Sequence, residues 1–381
     1  MKFTQSRHSR SSFLAFTIIE LLVALTITAA ISAMMVTIVT NVLGAWSRSS
    51  ATLSTGNQAR LILDQAAIDL QGAVLRNSSD VAFAATISSD QTGVNGGRGD
   101  ANATSASWSG TDVKPGATAA PNGSILLNPA DRDLTTYRFG QAGIWLRFFT
   151  VPADNTLTGG VVLQSNASAP RAVAYQLMRR RVGSGTAPYT YQLFRSEVRP
   201  FGTNTNTNGK STFVQGYDLF GSNLYNDPSD SSFTSNTDVG DAGTVRRPRS
   251  ELVIGNGVID FGARIFTKNS VGVLEESFPV DRRGGGAVLR RVFAATTDTT
   301  KLHPAVALPS GNFAAGATSY GYPSVVELMV RILTPEGIQI IQSYEDDPAR
   351  YGGASASKWW ELAEQNSKVY VRRIEIRSSA L

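Results

Sequence analysis

The chain has 381 residues, enough for one large domain or two ordinary ones, and its 42% hydrophobic content is typical of a folded protein. It contains no cysteine and only two histidines, which excludes disulfides, thiolate metal sites, cysteine nucleophiles and three-histidine metal centres. Lys2, Arg7 and Arg10 of an acid-free leading segment contribute to the net charge of +5, so the remaining charges are nearly balanced and we expect no nucleic-acid partner.

A polar, basic stretch (residues 1–15) precedes a long apolar one. No residue from Leu21 to Leu43 is charged. At about 1.5 Å per residue this run makes roughly 35 Å of helix, enough to cross a hydrocarbon core of about 30 Å. It is also longer than the apolar part of an ordinary signal peptide. The sequence therefore predicts one transmembrane helix.

A single acid, Glu20, lies at the start of the apolar run. An ionised carboxylate at the centre of a membrane helix costs about 2.5–3.5 kcal/mol, and less near the interface. One interpretation is that Glu20 caps the amino terminus of the helix, where the helix dipole favours an anion. The other is that Glu20 pairs with a positive group that compensates its charge.

The order of residues around Glu20 resembles the class III signal of type IV pilins and type II secretion pseudopilins. A basic leader ends in the small residue Ala15, and Phe16, Thr17, two aliphatic residues and Glu20 follow. The resemblance implies that a prepilin peptidase cuts between Ala15 and Phe16 and methylates the new amine, so that Glu20 becomes the fifth residue of the mature chain. It also implies that this amine and Glu20 neutralise each other between neighbouring subunits, a kind of pair that often gives specificity.

Two features depart from the family pattern. Ala15 occupies a position that is usually glycine, and the predicted helix lacks the proline that major pilins commonly carry near the position of Thr37. The second departure favours a minor subunit over a bulk fibre subunit.

The helical pattern continues through residues 44–76, now with one apolar stripe. Its members recur every three or four residues: Ala59, Leu63, Ala66, Leu70 and Val74. Charged and amide residues, including Asp64 and Asp69, fall on other faces. We expect one amphipathic continuation of the membrane helix (residues 16–43) docked on a globular head, although a separate core helix would show nearly the same pattern.

The remaining residues, 77–381, are expected to form a β-rich head with long loop insertions near 77–130, 200–250 and 268–320. Strand patterns occur at residues 143–151, 172–178, 189–195, 257–266, 324–333 and 369–376, with a short helix at 358–364. A long amino-terminal helix followed by a mostly antiparallel sheet gives an α+β fold, the architecture expected of pilin-like heads.

The order of elements in the head is similar to that of the J-type minor pseudopilins of type II secretion. The resemblance rests on the strand at 143–151, a tyrosine-containing hairpin that ends at Arg195, and a strand from Gly257 to Phe261. Large pilin-like Verru_Chthon cassette proteins share the leader as well. The resemblance implies a single-pass inner-membrane protein with a periplasmic head that later enters a pilus or pseudopilus. Its implied partners are the prepilin peptidase, other pilin or pseudopilin subunits and the membrane.

No pair of carboxylates stands out as an acid–base dyad, so we predict a structural, non-enzymatic subunit without a cofactor or an assigned metal. The acidic run at 226–241 could bind calcium through oxygen ligands, with a solvated loop as the simpler interpretation. Trp359 and Trp360 could anchor an interface or fill the core. The alternative function is a membrane-anchored periplasmic adhesin or enzyme that retains its amino-terminal helix.

Overall fold

The computed structural model describes residues 17–75, 80–87, 144–151, 170–181, 189–198, 212, 216–219, 252–268, 271–278, 292–295, 322–353 and 356–376. These residues form an α+β fold with a long amino-terminal helix and two antiparallel sheets, in agreement with the fold class predicted from the sequence. The chain divides into two compact units, Met1–Leu53 and Ser54–Leu381.

Helix α1 (Ile18–Gln71) contains 54 residues and ends earlier than residue 76, where the sequence pattern placed its end. Gly72 follows the helix, and its backbone lies against the backbone of Val151. The Val151 N–H donates to the Gly72 carbonyl oxygen at 2.9 Å. A Cβ atom at position 72 would lie only 2.3 Å from the Val151 carbonyl oxygen. The helix therefore ends where only glycine permits this close approach.

Ten strands are present in the described part of the chain. In order they are β1 (Phe83–Ile87), β2 (Ile144–Thr150), β3 (Arg171–Arg181), β4 (Tyr189–Val198), β5 (Val253–Asn256), β6 (Val258–Lys268), β7 (Leu274–Phe278), β8 (Val292–Ala294), β9 (Pro323–Leu333) and β10 (Ser367–Glu375). Six of them form a sheet in the order β5-β4-β3-β2-β1-β8, and four form a second sheet in the order β10-β9-β6-β7. All pairings are antiparallel.

Two short α-helices precede the last strand. Helix α2 (Pro335–Asp346) begins with Thr334, whose hydroxyl accepts a hydrogen bond from the Gly337 N–H at 3.1 Å. Threonine at the N-cap and proline at the first helical position both favour a helix start at this point. A 3₁₀ turn (Pro348–Tyr351) and helix α3 (Ala356–Gln365) follow.

The main core combines the second half of α1 with the inner faces of both sheets. A row of aromatic rings runs through it from the first sheet to the second. Phe83 and Phe148 lie 5.5 Å apart between ring centroids, Phe148 and Tyr175 lie 6.4 Å apart, and Tyr175 and Phe261 lie 6.2 Å apart. These spacings allow aromatic packing that adds to the burial of apolar area.

Smaller clusters cover other surfaces of the sheets. All seven residues of β2 are buried because Leu146 and Phe148 enter the main core while Trp145 and Phe149 enter a second cluster. A third cluster joins α2 and α3 to the sheets. Trp359 and Trp360 belong to this third cluster and are 0% and 2% exposed, so the interface interpretation of these tryptophans is wrong.

Candidate functional site

Glu20 lies in the first turn of α1 and exchanges hydrogen bonds with the residue three positions before it. The Thr17 N–H and Oγ1 donate to Glu20 Oε2 at 3.0 and 2.9 Å. In return, the Glu20 N–H donates to Thr17 Oγ1 at 3.3 Å. This reciprocal pattern is a capping box, which satisfies amide groups that the first turn of a helix leaves without partners. The structure thus shows Glu20 as a cap, and its pairing with a neighbouring amine stays a prediction.

The other residues selected from the sequence cannot be placed in the same way. Ala15 and Phe16, at the predicted cleavage site, lie outside the described residues, and so do the calcium candidates at 226–241. Among the residues that the structure describes, no group of three or more histidine, aspartate or glutamate side chains could hold a metal ion.

The first part of α1 exposes its apolar side chains. Ile18 is 87% exposed, and the large hydrophobic residues from Leu21 to Leu43 are exposed as well. The most apolar stretch has a mean hydropathy of 2.3 and none of it is buried. By length and composition α1 is therefore a candidate membrane-spanning helix, although a signal sequence has the same properties.

Four threonines of this apolar stretch bond to their own helix. Thr26 and Thr28 donate their hydroxyl hydrogens to carbonyl oxygens one turn earlier, each at 2.8 Å, and Thr37 and Thr40 do so at 2.9 Å. Such bonds satisfy the hydroxyl donor without any outside partner. An apolar environment can therefore surround these threonines at little cost.

The second part of α1 is fixed to the head by a buried ionic cluster centred on Asp69. Arg195 of β4 makes two parallel hydrogen bonds to Asp69, from Nε to Oδ2 at 2.6 Å and from Nη2 to Oδ1 at 3.0 Å. The Tyr175 hydroxyl of β3 also donates to Asp69 Oδ2. Glu197 accepts from Arg195 Nη1 at 3.1 Å. The Asp69 carboxylate thus binds two neighbouring strands, and its contact with Arg195 has the bidentate geometry of the strongest ion pairs.

The pKa values of Arg195 and Tyr175 are both raised within this cluster. Burial would lower the pKa of Arg195, but its hydrogen bonds and charge attraction to Asp69 raise that pKa above its ordinary value. Burial, followed by the negative charge of Asp69, raises the pKa of Tyr175 well above its ordinary value. Tyr175 therefore stays protonated and acts as a hydrogen-bond donor, which is a positioning role and not acid–base chemistry.

Two further contacts bind α1 to the head at its earlier turns. Thr55 Oγ1 lies 3.0 Å from the hydroxyl oxygen of Tyr370 on β10. Gln58 Nε2 donates to the Asn256 carbonyl oxygen, at the end of β5, at 2.9 Å. Since these contacts reach both sheets, they fix the helix along its length and about its own axis.

Asp64 adds a more exposed contact, with Arg372 of β10. The hydrogen bond from Arg372, together with the charges of Arg372 and Arg60, lowers the pKa of Asp64 below its ordinary value. The sequence pattern placed Asp64 and Asp69 on faces other than the apolar stripe, and the structure shows that Asp69, which is 5% exposed, is nevertheless buried against the head. The signal that could have identified Asp69 is its position between the stripe residues Ala66 and Leu70.

Not every apolar residue of the docked half of α1 is covered by the head. Leu61 is 71% exposed and Ile68 is 51% exposed. The two residues are seven positions apart, so they share one face of the helix. This face is available to a partner.

A cavity of about 310 Å³ lies between α2 and the ends of β4, β5 and β9. Its lining is uncharged: Thr190, Tyr191, Asn256, Gly257, Leu333, Ile338, Ile341 and Gln342. The nearby acid Glu345 accepts hydrogen bonds from the Tyr191 hydroxyl at 2.5 Å and from Trp359 Nε1 at 3.0 Å. Glu345 therefore serves packing, and the cavity lining itself supplies no acid or base.

A scan against protein-family models finds no match to this chain. Searches of curated proteins and of solved structures likewise find no match.

Proposed function

We propose that this chain is a pilin-like structural subunit, a minor pilin or pseudopilin of a type IV pilus or a type II secretion-like assembly. The observation that carries the proposal is the division of α1. Residues 21–43 expose apolar side chains, while residues 55–70 are fixed to a β-rich head by Asp69 and its partners. Such a helix can anchor a head in a membrane first and pack against other subunits later.

The physical basis is that one surface suits two environments. Lipid tails and the side chains of neighbouring helices are both apolar, so the exposed residues of α1 are compatible with either. Leu61 and Ile68 extend this exposed apolar surface into the docked half, where a neighbouring subunit could cover them.

The proposal includes processing at the leader. A prepilin peptidase in the inner membrane would cut between Ala15 and Phe16 and methylate the new amine, leaving the head in the periplasm. The Thr17 N–H already donates to Glu20. The amine of a mature Phe16 would instead compensate the charge of Glu20 on a neighbouring subunit and so fix the register between the two helices.

The first experiment is mass spectrometry of the amino terminus of the native protein. Processing predicts a chain that begins with methylated Phe16. A chain that still begins with Met1, or one cut at a different site, would contradict the proposal and favour the alternative, a membrane-anchored adhesin or enzyme that retains its helix.

A pair of variants separates the two roles of Glu20. Glu20→Gln keeps the side-chain oxygen that caps the helix and removes the charge, whereas Glu20→Ala removes both. If charge compensation fixes the register between subunits, both variants are cleaved but enter fibres poorly. Normal incorporation of Glu20→Gln with poor incorporation of Glu20→Ala would show that only the cap matters.

A further inference from the structure

The four-stranded sheet ends in two strands of different character, β10 on one side and β7 on the other. Outside α1, every large hydrophobic side chain that is exposed within the described part of the chain lies near one of these two edges. Val369 and Val371 are on β10, and Val271, Val273 and Leu274 are in or next to β7. Exposed apolar residues grouped in this way mark contact surfaces.

The backbone of β10 is arranged to accept another strand. The Asn366 carbonyl oxygen accepts from the Thr334 N–H, and the Ile376 N–H donates to the Ser324 carbonyl oxygen, so even-numbered positions bond to β9. In an antiparallel ladder the alternate positions point the other way. The N–H and C=O groups of Val369, Val371 and Arg373 therefore face away from β9. An open edge of this length is a template for strand addition.

A row of alternating charges crosses the outer face of the same sheet. Arg373 of β10 pairs in register with Glu327 of β9, which pairs with Arg264 of β6. Arg264 Nη1 lies 3.6 Å from Glu327 Oε1, and Arg264 Nε lies 3.3 Å from Glu276 Oε1 of β7. The row thus begins with a cation at the β10 edge and ends with an anion at the β7 edge.

The cation at the β10 edge lacks an acid of its own. Arg373 has no carboxylate within ion-pair distance among the residues that the structure describes, and its guanidinium lies 5.2 Å from the centre of the Phe266 ring. β10 carries Lys368, Arg372 and Arg373 against one acid, Glu375, and its Arg372 is bonded to Asp64. β7 carries Glu275 and Glu276 and no base. The two edges of one sheet are therefore complementary in charge.

We propose that the β7 edge of a second copy of this chain adds to the β10 edge, forming one antiparallel sheet across the two heads. Within the sheet β10 and β7 run in opposite directions, so a copy placed in the same orientation presents β7 antiparallel to β10. The Glu276 of that copy then lies opposite or diagonal to Arg373 and continues the alternation of charges. Leu274 and Val371 share the outer face of the joined sheet, where their contact buries apolar area.

This contact is heterologous, because different edges of the two copies meet, and it can repeat in one direction. All copies keep the same orientation, as a fibre with a single polarity requires. The inference goes beyond the proposed function, since it concerns the heads and needs neither the leader cut nor Glu20.

Cysteine crosslinking tests the contact cleanly because the chain has no cysteine of its own. The full-length protein in membranes would carry Val371→Cys, Leu274→Cys or both, and would be treated with a short bis-maleimide. The double variant should give a ladder of covalent oligomers, and a mixture of the two single variants should stop at the dimer. Val371→Cys combined with Ala349→Cys, an exposed site away from both edges, measures random collisions.

Two results would overturn the proposal. One is a double variant that crosslinks no more than the collision control while its thermal unfolding is normal. The other is efficient dimer formation by Val371→Cys alone, which would show that two β10 edges meet. A ladder without methylated Phe16 would support the head contact and contradict the pilin proposal, and methylated Phe16 without a ladder would do the reverse.

A charge variant adds an independent test. Arg373→Gln should reduce ladder formation several-fold without changing the melting temperature, because the contact loses its only carboxylate–guanidinium pair on the outer face. Arg350→Gln, a matched loss of an exposed arginine outside the sheet, should leave the ladder unchanged. Equal ladders in both variants would contradict the role of the charge row.

Discussion

The two halves of α1 differ in where their apolar side chains lie and in what their polar side chains bond to. In residues 21–43 large apolar side chains are exposed, and the hydroxyl groups bond to their own helix. In residues 55–70 one apolar face is buried, and polar groups bond to strands of the head. The comparison shows that charged and polar side chains with partners on the head accompany the docked half, whereas the first half is uncharged and satisfies its threonine hydroxyls internally.

The largest expected effect is the loss of Asp69. Asp69→Ala leaves the partly buried Arg195 with Glu197 as its remaining acidic partner, so the loss should approach the lower end of the range of about 3–5 kcal/mol that breaking a buried ion pair costs. Denaturant unfolding of the full-length chain in detergent measures this loss. Arg60→Ala, which removes an exposed charge from the same half of the helix, is the control and should change the midpoint little. Equal losses in the two variants would mean that the Asp69 cluster does not hold the helix.

A charge placed in the first half of α1 should disfavour insertion of the helix into the membrane and should not affect the folding of the head. Val36→Asp should disfavour membrane insertion by about 2.5–3.5 kcal/mol, because an acid at the centre of the span is costly, and should leave the unfolding of the head unchanged. Membrane fractionation and unfolding measure the two properties separately. The matched variant Ala66→Asp, in the docked half, should leave membrane insertion unchanged and destabilise the head. A loss of head stability in Val36→Asp would contradict the proposed difference between the two halves.

The end of the docked half of α1 requires a residue without a side chain, Gly72. Gly72→Ala would place a Cβ atom 2.3 Å from the Val151 carbonyl oxygen, so the helix end or the strand must move. Overpacking of this kind costs about 1–3 kcal/mol. Thermal unfolding measures the loss. Gly44→Ala is the control, since nothing lies within 4 Å of that position, and it should not destabilise the head.

The smallest expected effect concerns pH. The pKa of Asp64 is lowered by Arg372, so the folded state holds the ionised form more strongly than the unfolded state does. This contribution to stability is present above the ordinary pKa of 3.8 and disappears as the pH falls through the lowered value. Asp64→Asn should therefore make the free energy of unfolding depend less on pH between about pH 5 and pH 2, the range in which such carboxylates titrate. An unchanged profile would show that Asp64 is not coupled to folding.

Periodicity predicted much of this fold. The strands at residues 144–150, 171–181, 189–198, 258–268, 323–333 and 367–375 follow patterns visible in the sequence, as does α3. Helix α2 was not predicted, although Thr334 and Pro335 mark its start, because it follows the apolar run of β9 almost without a break. The short strands β1, β5, β7 and β8 were not predicted, because their pairing depends on distant neighbours, and β1 lies within the loop insertion predicted near 77–130.

The site was less predictable. The apolar run and Glu20 are local features, so the sequence showed both. The partners of Asp69 lie 106 and 126 positions away, at Tyr175 and Arg195, and no local pattern connects them. The charge row from Arg373 to Glu276 likewise exists only after four strands are in register.

The threonines of the apolar stretch have a consequence for movement. Because Thr26, Thr28, Thr37 and Thr40 bond to carbonyl oxygens of their own helix, none of these four hydroxyl groups has to exchange a hydrogen bond when the surroundings of the helix change. A move of this helix from one apolar surrounding to another would therefore meet no barrier from these hydroxyl groups, and the change would be one of shape and dispersion contacts.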